Sequence, residues 1–228
     1  MYTNVNFSAP LGVLTFLGTG FVMFLVGVFL IYSLIVRKFG RVRLAVFAGL
    51  MIVGVYLAIV LVFSFASSEK VLARGEEKHF CEIDCHLAYS IADIKQTKTI
   101  GTAPNQATAN GLFTVVTVKT RFDETTISSR RGDALLTPNS RVVTVVDDRG
   151  RRYGPSAADQ NVLEQAGLSG KPFTTALRPG ESYTTTLVFD LPADIRNPTL
   201  LMNEGEWVTH LIIGHENSPL HRQTRFQL

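Results

Sequence analysis

Residues 11–36 and 44–66 form two uncharged apolar runs of 26 and 23 residues. A bilayer core of about 30 Å is crossed by about 20 helical residues, so each run is long enough to span it. Backbone groups in lipid must be satisfied internally, so both runs are expected to be helices. The first 68 residues hold no Asp or Glu and only four basic residues, Arg37, Lys38, Arg41 and Arg43. Those four lie between the runs, where a cationic connection marks the cytoplasmic side. The expected topology is a two-pass hairpin in a bacterial cytoplasmic membrane. Residues 1–10 form a short exoplasmic N-terminus, 11–36 and 44–66 the spans, and 37–43 the cytoplasmic loop. Both termini lie outside, with the C-terminal part in the periplasm or extracellular space. No positive segment precedes residue 11, which argues against a cleaved signal peptide.

The charge distribution removes another class. The formal charge of +3 is the cationic cluster added to a nearly neutral remainder, with 18 basic against 19 acidic residues after position 68. A nucleic-acid binder needs basic residues spread over a docking face, so no nucleic-acid partner is expected. The partners implied are the lipid bilayer and another membrane or envelope protein. Small residues four apart, Ala45 with Gly49 and Gly54 with Ala58, allow close helix approach. They can serve packing within the hairpin or docking against a second membrane protein.

Residues 67–78 are polar and charged, so 67–87 reads as a juxtamembrane stalk. Residues 88–228 read as a β domain. Strands are expected over 112–122, 141–147, 183–190, 206–214 and 224–228. Turn formers separate them at Pro104-Asn105, Asn110-Gly111, Asp148-Arg149-Gly150, Pro179-Gly180 and Asn203-Glu204-Gly205. Only 157–166 reads as helix. Many short strands at this spacing predict a mainly β fold, an antiparallel sandwich.

Gly111-Leu-Phe-Thr-Val-Val-Thr-Val-Lys119 is followed by Asp148-Arg-Gly-Arg-Arg-Tyr153, Leu177-Arg-Pro-Gly-Glu-Ser182 and Leu187-Val-Phe-Asp-Leu-Pro192. This order resembles the uncharacterised immunoglobulin-like domains of bacterial lipoproteins and membrane-anchored surface proteins, over about residues 110–195. The resemblance implies an immunoglobulin-like sandwich and carries no catalytic residues. There is also no Gly-rich phosphate loop, Gly-x-Ser-x-Gly or His-Glu-x-x-His in the chain. No catalytic residue is assigned.

Both cysteines fall in one stretch, His79-Phe-Cys81-Glu-Ile-Asp-Cys85-His86. Three readings stay open. Cys81 and Cys85 can form a disulfide in an oxidising compartment, given a turn, since on an extended strand their Cα atoms would lie about 13 Å apart. With His79 and His86 they can bind copper or zinc through soft and borderline ligands. They can also be two free thiols. His215 and His221 join a metal site only if folding brings their loop to Cys81. Two N-terminal spans followed by a β domain with Cys-x-x-x-Cys are similar in architecture to cytochrome oxidase subunit II. That resemblance implies a copper centre and electron transfer. In that family the pair lies near the end of the β domain, with a His four residues after the second Cys; here it opens the domain, and that position is Tyr89. The function expected is a membrane-anchored exoplasmic binding or accessory module, a non-catalytic subunit or scaffold of a membrane or envelope complex; the alternative is a metal-binding or redox domain.

Overall fold

Each apolar run is one helix in the computed structural model, α1 over Ala9–Ile35 and α2 over Phe39–Phe65. The structure describes residues 9–80, 85–126 and 132–228. The turn between the helices is tighter than the expected 37–43 loop. Arg37 takes a left-handed conformation (φ 53°). Its N–H donates to the Leu34 carbonyl at 3.0 Å and that of Lys38 to the Ser33 carbonyl at 2.9 Å. This is the Schellman ending, which satisfies the last carbonyls of α1. Arg41 and Arg43 therefore sit in the first turns of α2, which carries no acidic residue there. Cations at a helix N-terminus oppose its dipole, so local helix stability does not explain them.

The helices meet along a seam. Phe16, Thr19, Met23, Val26, Leu30 and Ser33 of α1 are the less exposed positions, and Val42, Ala45, Gly49, Ile52 and Tyr56 answer them from α2. Alternating steps of three and four give the 3.5-residue period of interlocking helices. Ala45 and Gly49 are buried in this seam, and a Cβ on Gly49 would meet Met23 and Val26 side chains at 3.6 and 3.8 Å. Gly54 and Ala58 are exposed, and a Cβ on Gly54 would meet nothing within 4 Å. Only the first small pair serves packing inside the hairpin.

Residues Trp207–Arg222 belong to the same unit as the helices. The strand expected over 206–214 is instead a 3-10 helix, Trp207–Leu211, followed by turns. Ile212 and Ile213 are both buried. Adjacent residues on a strand face opposite ways, so a strand with one buried face could not hide both.

The other unit holds Glu69–Glu206 and Gln223–Leu228. Its strands are β1 (Lys70–Leu72), β2 (Lys78–Phe80), β3 (Leu87–Thr102), β4 (Asn105–Phe122), β5 (Arg141–Val146), β6 (Arg152–Tyr153), β7 (Ser182–Leu191), β8 (Thr199–Glu204) and β9 (Thr224–Gln227), with helix α3 (Ala157–Gln165) between β6 and β7. One sheet runs β1-β9-β8-β5-β6 and the other β2-β3-β4-β7. The pairing is antiparallel except between β1 and β9, which are parallel. A core including Tyr89, Val116, Val118, Phe122, Val145, Leu200, Met202 and Phe226 lies between the sheets. The fold is a mainly β sandwich accompanied by two long apolar helices.

Three expectations change here. Segment 67–87 is no free stalk, because β1 and β2 are sheet strands and β2 is fully buried. Strand β8 was hidden by its polar end, Asn203-Glu204, which reads as a turn. Asn110-Gly111 lies inside β4, where a Cβ on Gly111 would come within 1.9 Å of the Leu191 carbonyl oxygen. The Asp190 carboxylate accepts from the Asn110 and Gly111 N–H groups at 2.8 and 2.9 Å. That glycine marks close backbone approach rather than chain reversal.

Candidate functional site

The register of the second sheet assembles a polar network on its outer face. His79 of β2 is paired with Ala88 of β3, and Ala88 with Arg121 of β4. Alanine in the middle leaves room for longer side chains to converge over it, and it is itself buried. The Arg121 guanidinium grips Glu77 through Nε and Nη2, both at 2.7 Å. Nη2 also donates to Asp123 Oδ2 at 3.0 Å. The same oxygen lies 3.1 Å from His79 Nε2, a contact in which both side chains are almost wholly buried. Asp123 Oδ1 accepts from the Thr125 N–H at 3.0 Å and hydroxyl at 2.8 Å.

Burial pushes the Asp123 carboxyl up. The hydrogen bonds from Thr125 and His79, with the Arg121 charge, outweigh it and hold the group well below the usual carboxylate range. Glu77 is held low chiefly by its hydrogen bonds from Arg121, and Arg121 is raised chiefly by Glu77. A cleft of about 260 Å³ opens beside them, lined by Glu77, Arg121, Asp123, Glu124, Thr125 and Gly180 among others.

His86 joins the network through the Asp123 backbone. Its Nδ1 lies 2.6 Å from the Asp123 carbonyl oxygen and 3.0 Å from Thr126 Oγ1, and its carbonyl accepts from the Asp123 N–H at 2.7 Å. The ring stacks on Phe122 at 5.2 Å. Two of the sequence-selected histidines therefore converge on Asp123. Neither motif nor spacing pointed to Asp123 as the hub; the only visible signal was its place just after a long strand.

Around His79 the structure gathers a donor set other than the expected His79, Cys81, Cys85 and His86. Glu77, His79 and Asp123 each offer a ligand atom within 4.8 Å of the others. The Arg121 guanidinium bridges the two carboxylates, in the position a cation would take. The three residues thus fit an arginine rather than an added metal ion. Cys81 lies outside the described residues, and Cys85 is fully buried. His215 and His221 belong to the Trp207–Arg222 segment of the helical unit. His215 Nδ1 accepts from the Asn217 N–H at 3.0 Å, and His221 Nδ1 lies 2.6 Å from the Arg222 carbonyl oxygen.

A second cluster, unseen in the sequence, lies inside the sandwich. Lys78 Nζ donates to the carbonyls of Met202 and Thr224 at 2.8 and 3.1 Å. Arg141 donates to Glu204 Oε1 at 2.6 Å and to the Tyr89 hydroxyl at 3.1 Å, with its guanidinium 4.1 Å from the Phe80 ring centre. Burial raises the Tyr89 phenol. These contacts tie β2 and β3 to the opposite sheet, so hydrogen bonds and charge pairing join apolar contact in registering the two layers.

Chemically, both clusters hold charges still. A carboxylate kept ionised far below neutral pH is a weak proton acceptor, so Asp123 is better suited to clamping than to general base work.

MPT63, a secreted protein from Mycobacterium tuberculosis, is similar in structure at 13% identity over 71% of this chain and 98% of that one, with a TM-score of 0.41. The yjhA protein from Bacillus subtilis is similar at 14% identity over 71% and 99%, with a TM-score of 0.42. An uncharacterized β-sandwich protein from Clostridium difficile is similar at 8% identity over 71% and 95%, with a TM-score of 0.39. No protein-family model and no curated protein matches the chain. None of these findings supports a relation to cytochrome oxidase subunit II.

Proposed function

We propose that the chain is a membrane-anchored exoplasmic module, a non-catalytic binding or accessory subunit of a membrane or envelope complex. Its outer domain is an immunoglobulin-like sandwich. The observation that carries this reading is the surface of the helices. Outside the seam, Phe21, Phe24, Phe47 and Leu50 are 62 to 68% exposed. Apolar area of that extent is untenable in water, and lipid is the solvent that accepts it. Arg41 and Arg43 oppose the α2 dipole where they stand, and together with Arg37 and Lys38 in the preceding turn they suit a topogenic role on the cytoplasmic side. The sandwich then lies in the periplasm or outside the cell.

That compartment permits a Cys81–Cys85 disulfide. Among the described residues there is no free cysteine. Protein purified without reductant and denatured should show no titratable thiol; two thiols would remove the cross-link. Orientation is tested in spheroplasts. External protease should digest the outer domain and leave the hairpin in carbonate-washed membranes. Full protection would invert the topology. In mild detergent the native chain should migrate with a larger assembly, and migration alone would remove the accessory role.

A further inference from the structure

We infer that residues 207–222 form a third membrane-contacting element, a wedge that seats Trp207 in the outer leaflet interface beside the hairpin. This rests on the hairpin spanning the bilayer. The depth follows from one bond. The Tyr56 hydroxyl donates to the Leu211 carbonyl at 2.6 Å. Tyr56 lies nine residues before Phe65, the end of α2, which at 1.5 Å per residue is about 13 Å along the axis. A tyrosine side chain and its hydrogen bond together are shorter than that. Leu211 therefore lies below the helix end whichever way the ring points. The hydrocarbon boundary gives the same result. Counting about 30 Å from Leu44, the first uncharged residue after Arg43, brings the far boundary near residue 64, again above Tyr56 by about 12 Å.

A second contact places the segment on α1. A Cβ on Gly12 would come within 2.5 Å of the Ile213 carbonyl oxygen, so the backbone of the segment lies directly on the helix. The Arg222 N–H closes the segment by donating to Ser67 Oγ at 2.8 Å, just past α2.

Irregular backbone survives at membrane depth only when its polar groups are satisfied within the protein. The segment does this for itself. Ser218 Oγ donates to the Ile212 carbonyl, Asn217 Nδ2 donates to Thr209 Oγ1 at 2.7 Å, and His210 Nδ1 bonds the Asn217 carbonyl. The Ile212, His215 and Ser218 N–H groups close successive turns. Residues 207–215 contain no Asp, Glu, Lys or Arg. What they present outward is apolar: Trp207 is 70% exposed and Val208 45%, with Leu220 of the following turn at 67%. An exposed indole beside buried isoleucines, continuous with the lipid-facing helices, is the chemistry of the interfacial aromatic belt. The occupant of this surface is lipid at the headgroup–acyl boundary.

Trp207 is the single tryptophan of the chain, so its fluorescence reports this site without mutation. The full chain is reconstituted into phosphatidylcholine vesicles, floated on a gradient, and its emission recorded. The expected result is blue-shifted emission that loses most of its intensity in vesicles brominated near the headgroup end of the acyl chain, and little to aqueous iodide. Emission typical of a hydrated indole, quenched by iodide and indifferent to bromolipid in floated vesicles, would overturn the wedge while leaving the hairpin intact. Failure to float would overturn both.

Discussion

Replacing Asp123 by Asn tests the outer-face clamp with almost no change in shape. The amide keeps one oxygen for the Thr125 contacts at 3.0 and 2.8 Å. It places an NH2 where Oδ2 accepted from Arg121 at 3.0 Å and lay 3.1 Å from His79 Nε2. Hydrogen bonds to charged groups contribute about 1.5–3 kcal/mol each, and two are at stake. The Arg121 contact must be discounted, because its side chain is 31% exposed and still holds Glu77. The His79 contact is buried and keeps its full weight. The expected loss at pH 7 is about 2–4 kcal/mol, which at a urea slope of about 2 kcal/mol/M moves the midpoint down by 1–2 M.

Pulse proteolysis of the full chain in detergent against urea reads that midpoint. The pH dependence sharpens the test. Asp123 has a folded-state pKa below its ordinary value of 3.8, so its contribution is complete above that value and is lost as pH falls toward the folded pKa. Glu77 acts in the same sense in both proteins. The gap between wild type and Asp123→Asn should therefore narrow below about pH 4. Coincident midpoints at pH 7, or parallel profiles from pH 7 to pH 2.5, would refute the clamp.

The two small-residue pairs of α2 should separate cleanly. Gly49→Leu forces a side chain against Met23 and Val26 and should lower the thermal midpoint in micelles by an overpacking cost of about 1–3 kcal/mol, whereas Gly54→Leu should stay within about 0.5 kcal/mol of wild type. Equal effects would place the seam elsewhere. Gly111→Ala drives a methyl into the Leu191 carbonyl and should cost about 2 kcal/mol or more, read as lost amide protection along β4 and β7 by hydrogen exchange. Unchanged protection would show that the two strands can part there.

The helices were legible in the sequence because a membrane-length apolar run is a local property, set by composition and length alone. The β domain was legible for a related reason. Runs such as 112–122 and 183–190 carry their strand preference in β-branched residues, and Asp148-Arg149-Gly150 forms its turn through the neighbouring Asp147 side chain, which accepts from the Arg149 and Arg151 N–H groups. Also legible was the clustering of cysteines and histidines around 79–86, though not its purpose.

Tertiary structure decided what depended on partners distant in sequence. Lys78 looks like a solvated stalk residue until β2 joins the sheet and the carbonyls of Met202 and Thr224 receive its ammonium group. Residues 206–214 read as a strand, but Trp207–Arg222 packs with the helices, where Tyr56 meets the Leu211 carbonyl and Gly12 the Ile213 carbonyl. Asp123 became the hub of two histidines and an arginine only through the pairing of β2, β3 and β4, in which Ala88 leaves the space between them. Local propensity acts over a few residues, whereas desolvation and charge pairing act on whatever side chains folding brings within a few ångströms. That is why the strands and spans could be read along the chain, and why the clamp and the Trp207 segment could not.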